Sequence, residues 1–114
     1  MLARKFRLSE KRDFEKIQNE GKVFQSANFG IGILKRGDSD VSRFGFIVST
    51  KIAKDAVDRN RFKRAMSEAV RMSMSDLSEG YDVVFLAKTS IVRVSTEQIM
   101  KEVRISLKES GLMK

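Results

Sequence analysis

The stretch that decides the fold is residues 48–71, which read Val-Ser-Thr-Lys-Ile-Ala-Lys-Asp-Ala-Val-Asp-Arg-Asn-Arg-Phe-Lys-Arg-Ala-Met-Ser-Glu-Ala-Val-Arg. Apolar residues recur in it at helical spacing, which predicts an amphipathic helix with one stripe facing a core. The stripe consists of Val57, Phe62, Ala65, Met66, Ala69 and Val70. Asp55 is the predicted N-cap, and Asp58 lies in the first turn, where negative charge is favourable.

The same stretch concentrates positive charge. It holds six basic and two acidic residues between Lys51 and Arg64, and this local excess of four is half of the formal net charge of +8. The basic residues are Lys51, Lys54, Arg59, Arg61, Lys63 and Arg64. Like charges three or four residues apart on a helix repel each other, so this face gains stability when a polyanion neutralises it. We interpret it as a phosphate-binding surface, with a merely solvated helix face as the alternative.

Composition narrows the possible chemistry. The chain has 114 residues, 41% of them hydrophobic, which predicts a single domain over residues 1–114 with one modest core. It contains no Cys and no His, which excludes disulfides, Cys/His zinc sites and catalysis by a Cys or His side chain. An enzyme built on this chain would rely on carboxylates, Lys, Ser or Tyr81, or would assist a catalyst made of something else.

The positive charge also predicts an anionic partner, and RNA or DNA is favoured over a membrane surface. No hydrophobic run approaches the roughly 18–20 residues that span a bilayer. The first eight residues alternate charged and apolar side chains, and they lack the hydrophobic stretch of a signal peptide. We therefore expect a cytoplasmic protein with no membrane partner.

The N-terminal region is expected to be a basic arm followed by a short helix. Residues 1–8 are predicted to be extended, with Phe6 and Leu8 as anchors. Ser9 is the predicted N-cap of a helix over residues 10–20, and Gly21 is expected to end that helix. The basic residues of this region include Arg4, Lys5, Arg7 and Arg12.

Phe14 and Ile17 share one face of this first helix. At such a spacing an aromatic side chain packs more often in a core than against a ligand. We expect Phe14 to contribute to the core, with stacking on a ligand as the alternative.

Strands are predicted in the next part of the chain. Residues 23–34 are expected to be extended, as one strand or as two that meet near residues 26–28, and residues 41–49 form another strand after a turn at residues 37–40. One face carries Phe29, Ile31, Ile33, Phe44, Phe46 and Val48, and the other carries Gly30, Gly32, Leu34, Arg43, Gly45, Ile47 and Ser49. The short connection predicts that these strands pair as an antiparallel hairpin.

Three glycines, Gly30, Gly32 and Gly45, share the second face of this predicted hairpin. Glycine weakens a strand interior, so three on one face require a reason. One reason is the close approach of a bulky ligand, such as an extended nucleic-acid strand in a shallow trough. The alternatives are a twisted or bulged hairpin and tight packing beneath the first helix.

The last part of the chain adds a strand and a helix. Residues 82–88 form an apolar run that suits a strand covered on both faces. Residues 95–98, Ser-Thr-Glu-Gln, form a capping box at the start of the last helix, which Gly111 ends. The buried stripe of this helix is Ile99, Val103 and Leu107. The order helix, two or three strands, basic helix, strand and helix predicts an α/β sandwich with helices packed on a sheet.

The central stretch resembles the protein subunit of bacterial ribonuclease P. The matching residues are Val48-Ser49, Lys51, Ala56-Val57, Arg59-Asn60-Arg61, Lys63-Arg64, Glu68-Ala69 and Arg71, together with Asp13-Phe14, Gly21, Phe44-Gly45 and Tyr81-Asp82. This resemblance covers nearly the whole chain in order. It implies an α+β two-layer sandwich like the second domain of ribosomal protein S5, with the order α-β-β-β-α-β-α and a left-handed βαβ crossover through the basic helix.

The resemblance also implies a function and its partners. In this family an RNA with RNA-bound Mg²⁺ cleaves precursor tRNA, and the protein binds that RNA and the 5′ leader of the precursor. We therefore expect no catalytic residue, no cofactor on the protein itself and no required protein partner. No metal site is expected either, because the pairs Asp38 with Asp40 and Asp55 with Asp58 are explained by turn and helix-cap chemistry.

The residues that the resemblance assigns form three sets. Contact with the catalytic RNA is expected from Lys51, Lys54, Arg59, Asn60, Arg61, Lys63 and Arg64. The leader cleft, between the first helix and the sheet, is expected to include Phe14, Gly30, Gly32, Gly45 and Ile47. The basic N-terminal arm contributes Arg4, Lys5, Arg7 and Arg12.

This chain departs from the family pattern at a few positions. Gln18 stands where the family often has a second aromatic or large apolar residue, and Gly30 and Gly32 stand where larger side chains are common. Leader contacts are therefore expected to be weaker or to involve more backbone. Thr50 replaces a common Lys and removes one charge from the loop.

Two other functions remain open from the sequence. A small structural RNA-binding protein would share the basic helix but would take no part in cleavage. A DNA-binding helix-turn-helix is disfavoured, because no second helix closely precedes the basic one.

Overall fold

The computed structural model describes residues 2–114, and Met1, the first residue of the predicted arm, lies outside the described residues. The helices are α1 (Lys11–Glu20), α2 (Ala56–Ser73) and α3 (Thr96–Glu109), and the strands are β1 (Lys22–Gln25), β2 (Phe29–Lys35), β3 (Arg43–Ile47) and β4 (Tyr81–Ala87). Short 3-10 turns span Arg4–Phe6, Met74–Asp76 and Thr89–Arg93. This order and the α+β class confirm the predicted fold and are consistent with the S5-like description.

The four strands form one sheet in the order β1-β2-β4-β3. β4 pairs antiparallel with β2 and parallel with β3. The predicted hairpin of β2 and β3 is therefore wrong, because β4 lies between them. Val83, Val84 and Phe85 of β4 are all buried, and a strand that is apolar on both faces is most stable in the interior of a sheet.

Helices α2 and α3 cover one face of the sheet and enclose the main core. The predicted inward residues of β2 and β3 face this core, and Phe62, Met66 and Val70 from α2 are fully buried against it. The predicted stripe was wrong at Val57, which is 78% exposed. Val57 precedes Phe62 by five residues, which is about 140° around a helix, so it points toward solvent.

The opposite face of the sheet is partly covered by α1. Ile17 is buried against Val84, with Phe14 beside it. A Cβ atom on Gly32 would lie 2.9 Å from Ile17 Cγ2, and one on Gly45 would lie 2.5 Å from Phe14 Cε1. Tight packing beneath the first helix therefore accounts for these two glycines.

Helix ends follow the predictions in part. Ser95 Oγ accepts a hydrogen bond from the Gln98 N–H at 3.2 Å, which confirms the cap of α3. Asp55 occupies the N-cap position of α2, but its side chain makes no capping hydrogen bond. The N-cap of α1 is Glu10 rather than Ser9. Gly21 follows α1 with a negative φ. This position requires glycine because a Cβ atom there would lie 2.6 Å from the Ile17 carbonyl oxygen.

The N-terminal arm is not fully extended, because residues 4–6 form a 3-10 turn. After this turn the Leu8 N–H donates a hydrogen bond to the Phe44 carbonyl at 2.9 Å. Leu8 is buried and Phe6 is half-buried, so both anchor the arm as predicted. The arm thus covers part of the β3 edge, which would otherwise expose unpaired backbone groups.

An ion network that the sequence did not predict closes one end of the sheet. Asp82, 3% exposed, accepts hydrogen bonds from Arg36 Nη1 at 2.6 Å and from Arg43 Nη2 at 2.8 Å. Arg36 also donates to Asp38 and to the carbonyls of residues 40, 41 and 81. Arg43 Nη1 lies 3.6 Å from Asp13 of α1. The network joins β3, β4, the loop at 36–42 and the first helix.

A second buried carboxylate, Glu102 of α3, holds the β1–β2 connection. It accepts hydrogen bonds from Ser26 Oγ at 2.6 Å, from the Asn28 N–H at 2.9 Å and from Asn28 Nδ2 at 2.7 Å. Burial by itself raises the pKa of Glu102, but these hydrogen bonds outweigh burial, so its pKa lies below the ordinary glutamate value.

This depressed pKa predicts a pH-dependent part of the stability. Because the folded state binds a proton at Glu102 less readily than the unfolded state, the stabilisation is complete above the ordinary glutamate pKa of about 4.3 and is lost as pH falls through the lower folded value. We expect Glu102→Gln to lower the free energy of unfolding at pH 7 by about 1.5–3 kcal/mol and to reduce its loss toward pH 3. Urea unfolding at both pH values checks this, with exposed Glu97→Gln as the control. If the free energy of unfolding falls by the same amount between pH 7 and pH 3 in the wild type and in E102Q, this prediction is wrong.

No helix within residues 2–114 is both long enough and apolar enough to cross a membrane.

Candidate nucleic-acid interface

The basic loop and the start of the basic helix, which the sequence predicted to bind phosphates, lie at one end of the sheet. β3 and β4 run parallel, so their carboxyl ends lie together. The loop at residues 48–55 follows β3 and leads into α2, and α3 follows β4 after the turn at residues 89–93. Both long helices therefore begin at this end, next to Lys51 and Lys54, which are exposed on the loop.

The basic side chains of α2 divide between two flanks of the helix. Arg61 and Arg64 are exposed and line a recess of about 290 Å³ against Thr96 and Met100 of α3. Lys63 is half-buried and faces a recess of about 160 Å³ beside Arg7 of the N-terminal arm. Residues 61 and 63 are about 200° apart around a helix, which explains the division.

Asn60 is exposed, as are the other predicted basic residues of the arm, Arg4 and Lys5, and Arg12 at the start of α1. Lys5 Nζ lies 5.0 Å above the Phe6 ring centroid, and Arg12 Nε lies 2.7 Å from Glu10 Oε2. Arg12 is thus partly neutralised by its neighbour. The arm and α2 together present positive charge around the recess that Lys63 lines.

Six basic residues of the loop and of the first part of α2 have no carboxylate partner among residues 2–114, namely Lys51, Lys54, Arg59, Arg61, Lys63 and Arg64. The ion pairs of this part of the chain lie elsewhere, at Arg71 with Glu68 and in the Asp82 network. Arg61 instead stacks its guanidinium 4.5 Å from the Phe62 ring centroid. Unpaired cations grouped on one surface attract a polyanion.

Arg59 differs from the other basic residues of α2. It is half-buried, and its Nη1 donates hydrogen bonds to the carbonyls of Ala53 at 2.9 Å and Lys54 at 2.6 Å. These hydrogen bonds could not be predicted from the sequence, in which Arg59 is recognisable only as one more positive charge.

A cleft of about 210 Å³ lies between α1 and the sheet. It is lined by Phe14, Ile17, Gln18, Val23, Gly32, Ile47, Val84 and Leu86. Phe14, Gly32 and Ile47 were predicted here. Gly45 lies beneath the Phe14 ring and Gly30 beneath the Gln25 side chain, so neither lines the open space.

The open part of this cleft is apolar. Val23 is 59% exposed, Leu86 44% and Ile47 37%. Leu86 pairs in register with both Gly30 and Ile47, so the two exposed side chains are neighbours at the end of the sheet where β3 stops. Val23 and Leu86 were not among the cleft residues predicted from the sequence. Strand alternation alone would have assigned them to this face once the pairing was known.

Of the two aspartate pairs, Asp38 and Asp40 take part in a turn as predicted, whereas Asp55 lies at the N-cap of α2 without the predicted capping hydrogen bond. Asp38 accepts hydrogen bonds from Arg36 and from the Asp40 N–H, which is turn chemistry, and the Arg36 guanidinium lowers the pKa of Asp38. Within the described chain, no group of three or more acidic side chains is arranged to hold a metal ion.

Comparison with known proteins points in one direction. The family model described as ribonuclease P matches residues 2–111. The ribonuclease P protein component of Clostridioides difficile is 36% identical over 106 residues, which cover 92% of this chain and 91% of that protein. The counterpart from Alkaliphilus oremlandii is 32% identical, covering 94% of this chain and 92% of that protein.

Solved structures agree with these relatives. The Staphylococcus aureus RNase P protein superposes with a TM-score of 0.89 at 26% identity, covering 96% of this chain and 98% of that one. The Thermotoga maritima RNase P protein superposes with a TM-score of 0.79 at 31% identity, covering 90% of this chain and 96% of that one.

Proposed function

Since this chain belongs to the ribonuclease P protein family, as a protein subunit of that endoribonuclease complex in tRNA processing, we propose that it binds the catalytic RNA through the basic end of the sheet and binds the 5′ leader of precursor tRNA in the cleft beneath α1. The RNA performs the cleavage and holds the Mg²⁺ ions, and the protein requires neither a cofactor nor a protein partner. We also propose that it acts in the cytoplasm.

The observation that carries this proposal is the continuity of the cleft with the basic surface. Ile47 lines the cleft and ends β3, and the loop with Lys51 and Lys54 follows directly. A leader strand lying along the exposed side chains of Leu86 and Ile47 would pass from the cleft toward these lysines. The 5′ leader held in the cleft would thus be directed toward the basic surface on which the catalytic RNA binds.

The chemistry of the two surfaces suits different parts of an RNA. Unpaired Arg and Lys side chains bind phosphates, which gives affinity without sequence preference. The cleft offers the Phe14 ring and aliphatic walls for bases, and Gln18 offers an amide that donates and accepts hydrogen bonds. Because mature tRNA lacks the leader, binding in the cleft favours precursor over product.

The protein contributes binding and orientation to the reaction, not proton transfer by His or Cys, since the chain has neither residue. Cations near the cleavage site also reduce the repulsion between two polyanions. We therefore expect a catalytic RNA to need less Mg²⁺ in the presence of the protein.

The test of this function is cleavage of precursor tRNA by an in vitro transcribed ribonuclease P RNA at low Mg²⁺, with and without the protein. The RNA of Clostridioides difficile is a suitable choice, given the similarity of the two proteins. We expect the protein to restore cleavage at the correct 5′ position. Tight RNA binding without restored cleavage, with an RNA that is active at high Mg²⁺, would favour the structural RNA-binding alternative.

Phe14→Ala is expected to reduce the preference for precursor over mature tRNA by about tenfold, because base stacking on an aromatic ring is worth about 1–3 kcal/mol. Affinity for mature tRNA should change little. Filter binding of the holoenzyme to both tRNAs checks this. Phe24→Ala removes another partly exposed ring, 40% exposed and outside the cleft lining, and serves as the control.

An unchanged preference in the Phe14 variant would argue against the leader assignment. A lowered midpoint of thermal unfolding with the preference retained would identify Phe14 as a core residue only, the packing role that the sequence analysis favoured.

A further inference from the structure

The junction between the basic loop and α2 lacks the connection that usually stabilises a helix start. Asp55 is the N-cap, but its carboxylate accepts no capping hydrogen bond. The preceding loop is held by two backbone hydrogen bonds to the Ser49 carbonyl, from Ile52 N–H at 3.0 Å and Ala53 N–H at 3.3 Å. Val48, Ile52 and Ala53 pack against the core, but Lys51 and Lys54 are exposed between and after them. Exposed residues of a segment held by so few backbone bonds have conformations to lose on binding a ligand.

Arg59 supplies the missing connection. A single guanidinium nitrogen, Nη1, donates to the consecutive carbonyls of Ala53 and Lys54 from one turn inside the helix. Arginine suits this task because its donors are fixed in a plane. The geometry holds the backbone of residue 54 and, through Ala53, the end of the turn that carries Lys51.

We propose that Arg59 is a positioning residue for RNA binding, which acts by presenting Lys51 and Lys54 together to the phosphates. This inference rests on the proposed function, because it takes the loop to be an RNA contact. Arg61 and Arg64 make no comparable bond to the loop within residues 2–114, so their side chains reach the RNA directly. Two neighbouring arginines of one motif thus act in different ways.

The test is a set of variants of the full chain bound to in vitro transcribed ribonuclease P RNA over a range of salt concentrations. Arg59→Met removes the guanidinium and keeps much of the apolar stem. Each phosphate contact contributes about 0.7 to the slope of log K against log salt for a single strand. We expect the single Met variant to lower this slope by about 1.4, because one lost guanidinium disables two lysine contacts.

The control is a double variant, Lys51→Ala with Lys54→Ala, which lacks both lysines that Arg59 is proposed to position. Adding Arg59→Met to this pair should change neither the affinity nor the slope. If the triple variant instead loses a further 0.7 or so of slope, Arg59 contacts a phosphate itself and the inference is overturned. If the double lysine variant binds the RNA with wild-type affinity and salt slope, the proposed RNA-binding surface is wrong as well.

Two further measurements keep the result independent of folding. Hydrogen exchange at the Ile52 and Ala53 amides of the free protein should speed up in Arg59→Met and not in Arg61→Met, and equal rates would overturn the inference. If the Met variant fails to fold, Arg59→Lys keeps the charge on a flexible chain. A direct phosphate contact would then preserve the salt slope, whereas a positioning role predicts that the slope falls.

Discussion

Replacing Asp82 with alanine is expected to lower the free energy of unfolding by about 3–5 kcal/mol, the cost of removing one partner from a buried ion pair. The Asp82 side chain is 5% exposed, and the Arg36 side chain facing it is 15% exposed. Without the carboxylate, the Arg36 and Arg43 guanidinium groups would lose the one buried acidic group that they share, and each would keep only a more exposed partner, Asp38 or Asp13. A loss of this size is a large part of the total stability of a small domain.

Urea unfolding at pH 7 measures this loss. Asp38→Ala is the matched control, because Asp38 pairs with the same Arg36 but is exposed. We expect the control to cost no more than about 1 kcal/mol. An Asp82 variant that unfolds at the wild-type urea concentration would show that the network does not contribute to stability.

The same variant also connects stability with the cleft. Arg43 bridges Asp82 to Asp13 of α1, and α1 forms one wall of the cleft. A weakened network should therefore loosen the first helix before the rest of the fold. Hydrogen exchange of amides in residues 11–20, compared with those of β4, would detect this.

The second large effect is expected at the RNA surface. Arg61→Ala with Arg64→Ala should weaken holoenzyme assembly about 100-fold, since a hydrogen bond to a charged group contributes about 1.5 kcal/mol or more and each 1.4 kcal/mol is tenfold. The slope of log K against log salt should fall by about 1.4. Both side chains are exposed and carry no ion pair within the described chain, so the fold should be retained.

A charge-matched control separates a local contact from the general effect of net charge. Lys101→Ala with Arg104→Ala removes two exposed cations from α3. If both double variants weaken assembly equally, the RNA responds to total charge rather than to the α2 surface. Wild-type affinity in the Arg61 and Arg64 variant would remove the reason for assigning these residues to RNA.

Local pattern was sufficient for much of the fold. Alternation in residues 29–34 and 43–48 identified the inward side chains correctly, because successive residues of a strand face opposite sides whatever the neighbouring strand is. Ser95 and Gln98 identified the start of α3 because a capping box is formed within four residues. The basic charge of α2 and the Arg59-Asn60-Arg61 motif identified the family, since both are present in the linear sequence.

Pairing across the sheet could not be obtained in this way. Residues 29–48 suggested a hairpin because the connection is short, but β4 (Tyr81–Ala87), which follows α2 in the chain, lies between the two strands. Its position depends on burial of both faces in the folded protein. The hydrogen bonds of Arg59 likewise depend on where the Ala53 and Lys54 carbonyls lie in the folded protein, and its charge does not predict them.

The sequence by itself thus determined most of the helices and strands, most of their buried faces, the family and the basic surface for which RNA binding is proposed, because these depend on periodicity, end signals and charge within short segments. Only the tertiary structure decided which strands are neighbours, which side chains pack on Gly32 and Gly45, and which groups donate hydrogen bonds to the buried carboxylates of Asp82 and Glu102. These features depend on contacts between residues far apart in the chain, and a linear pattern carries no record of such distances.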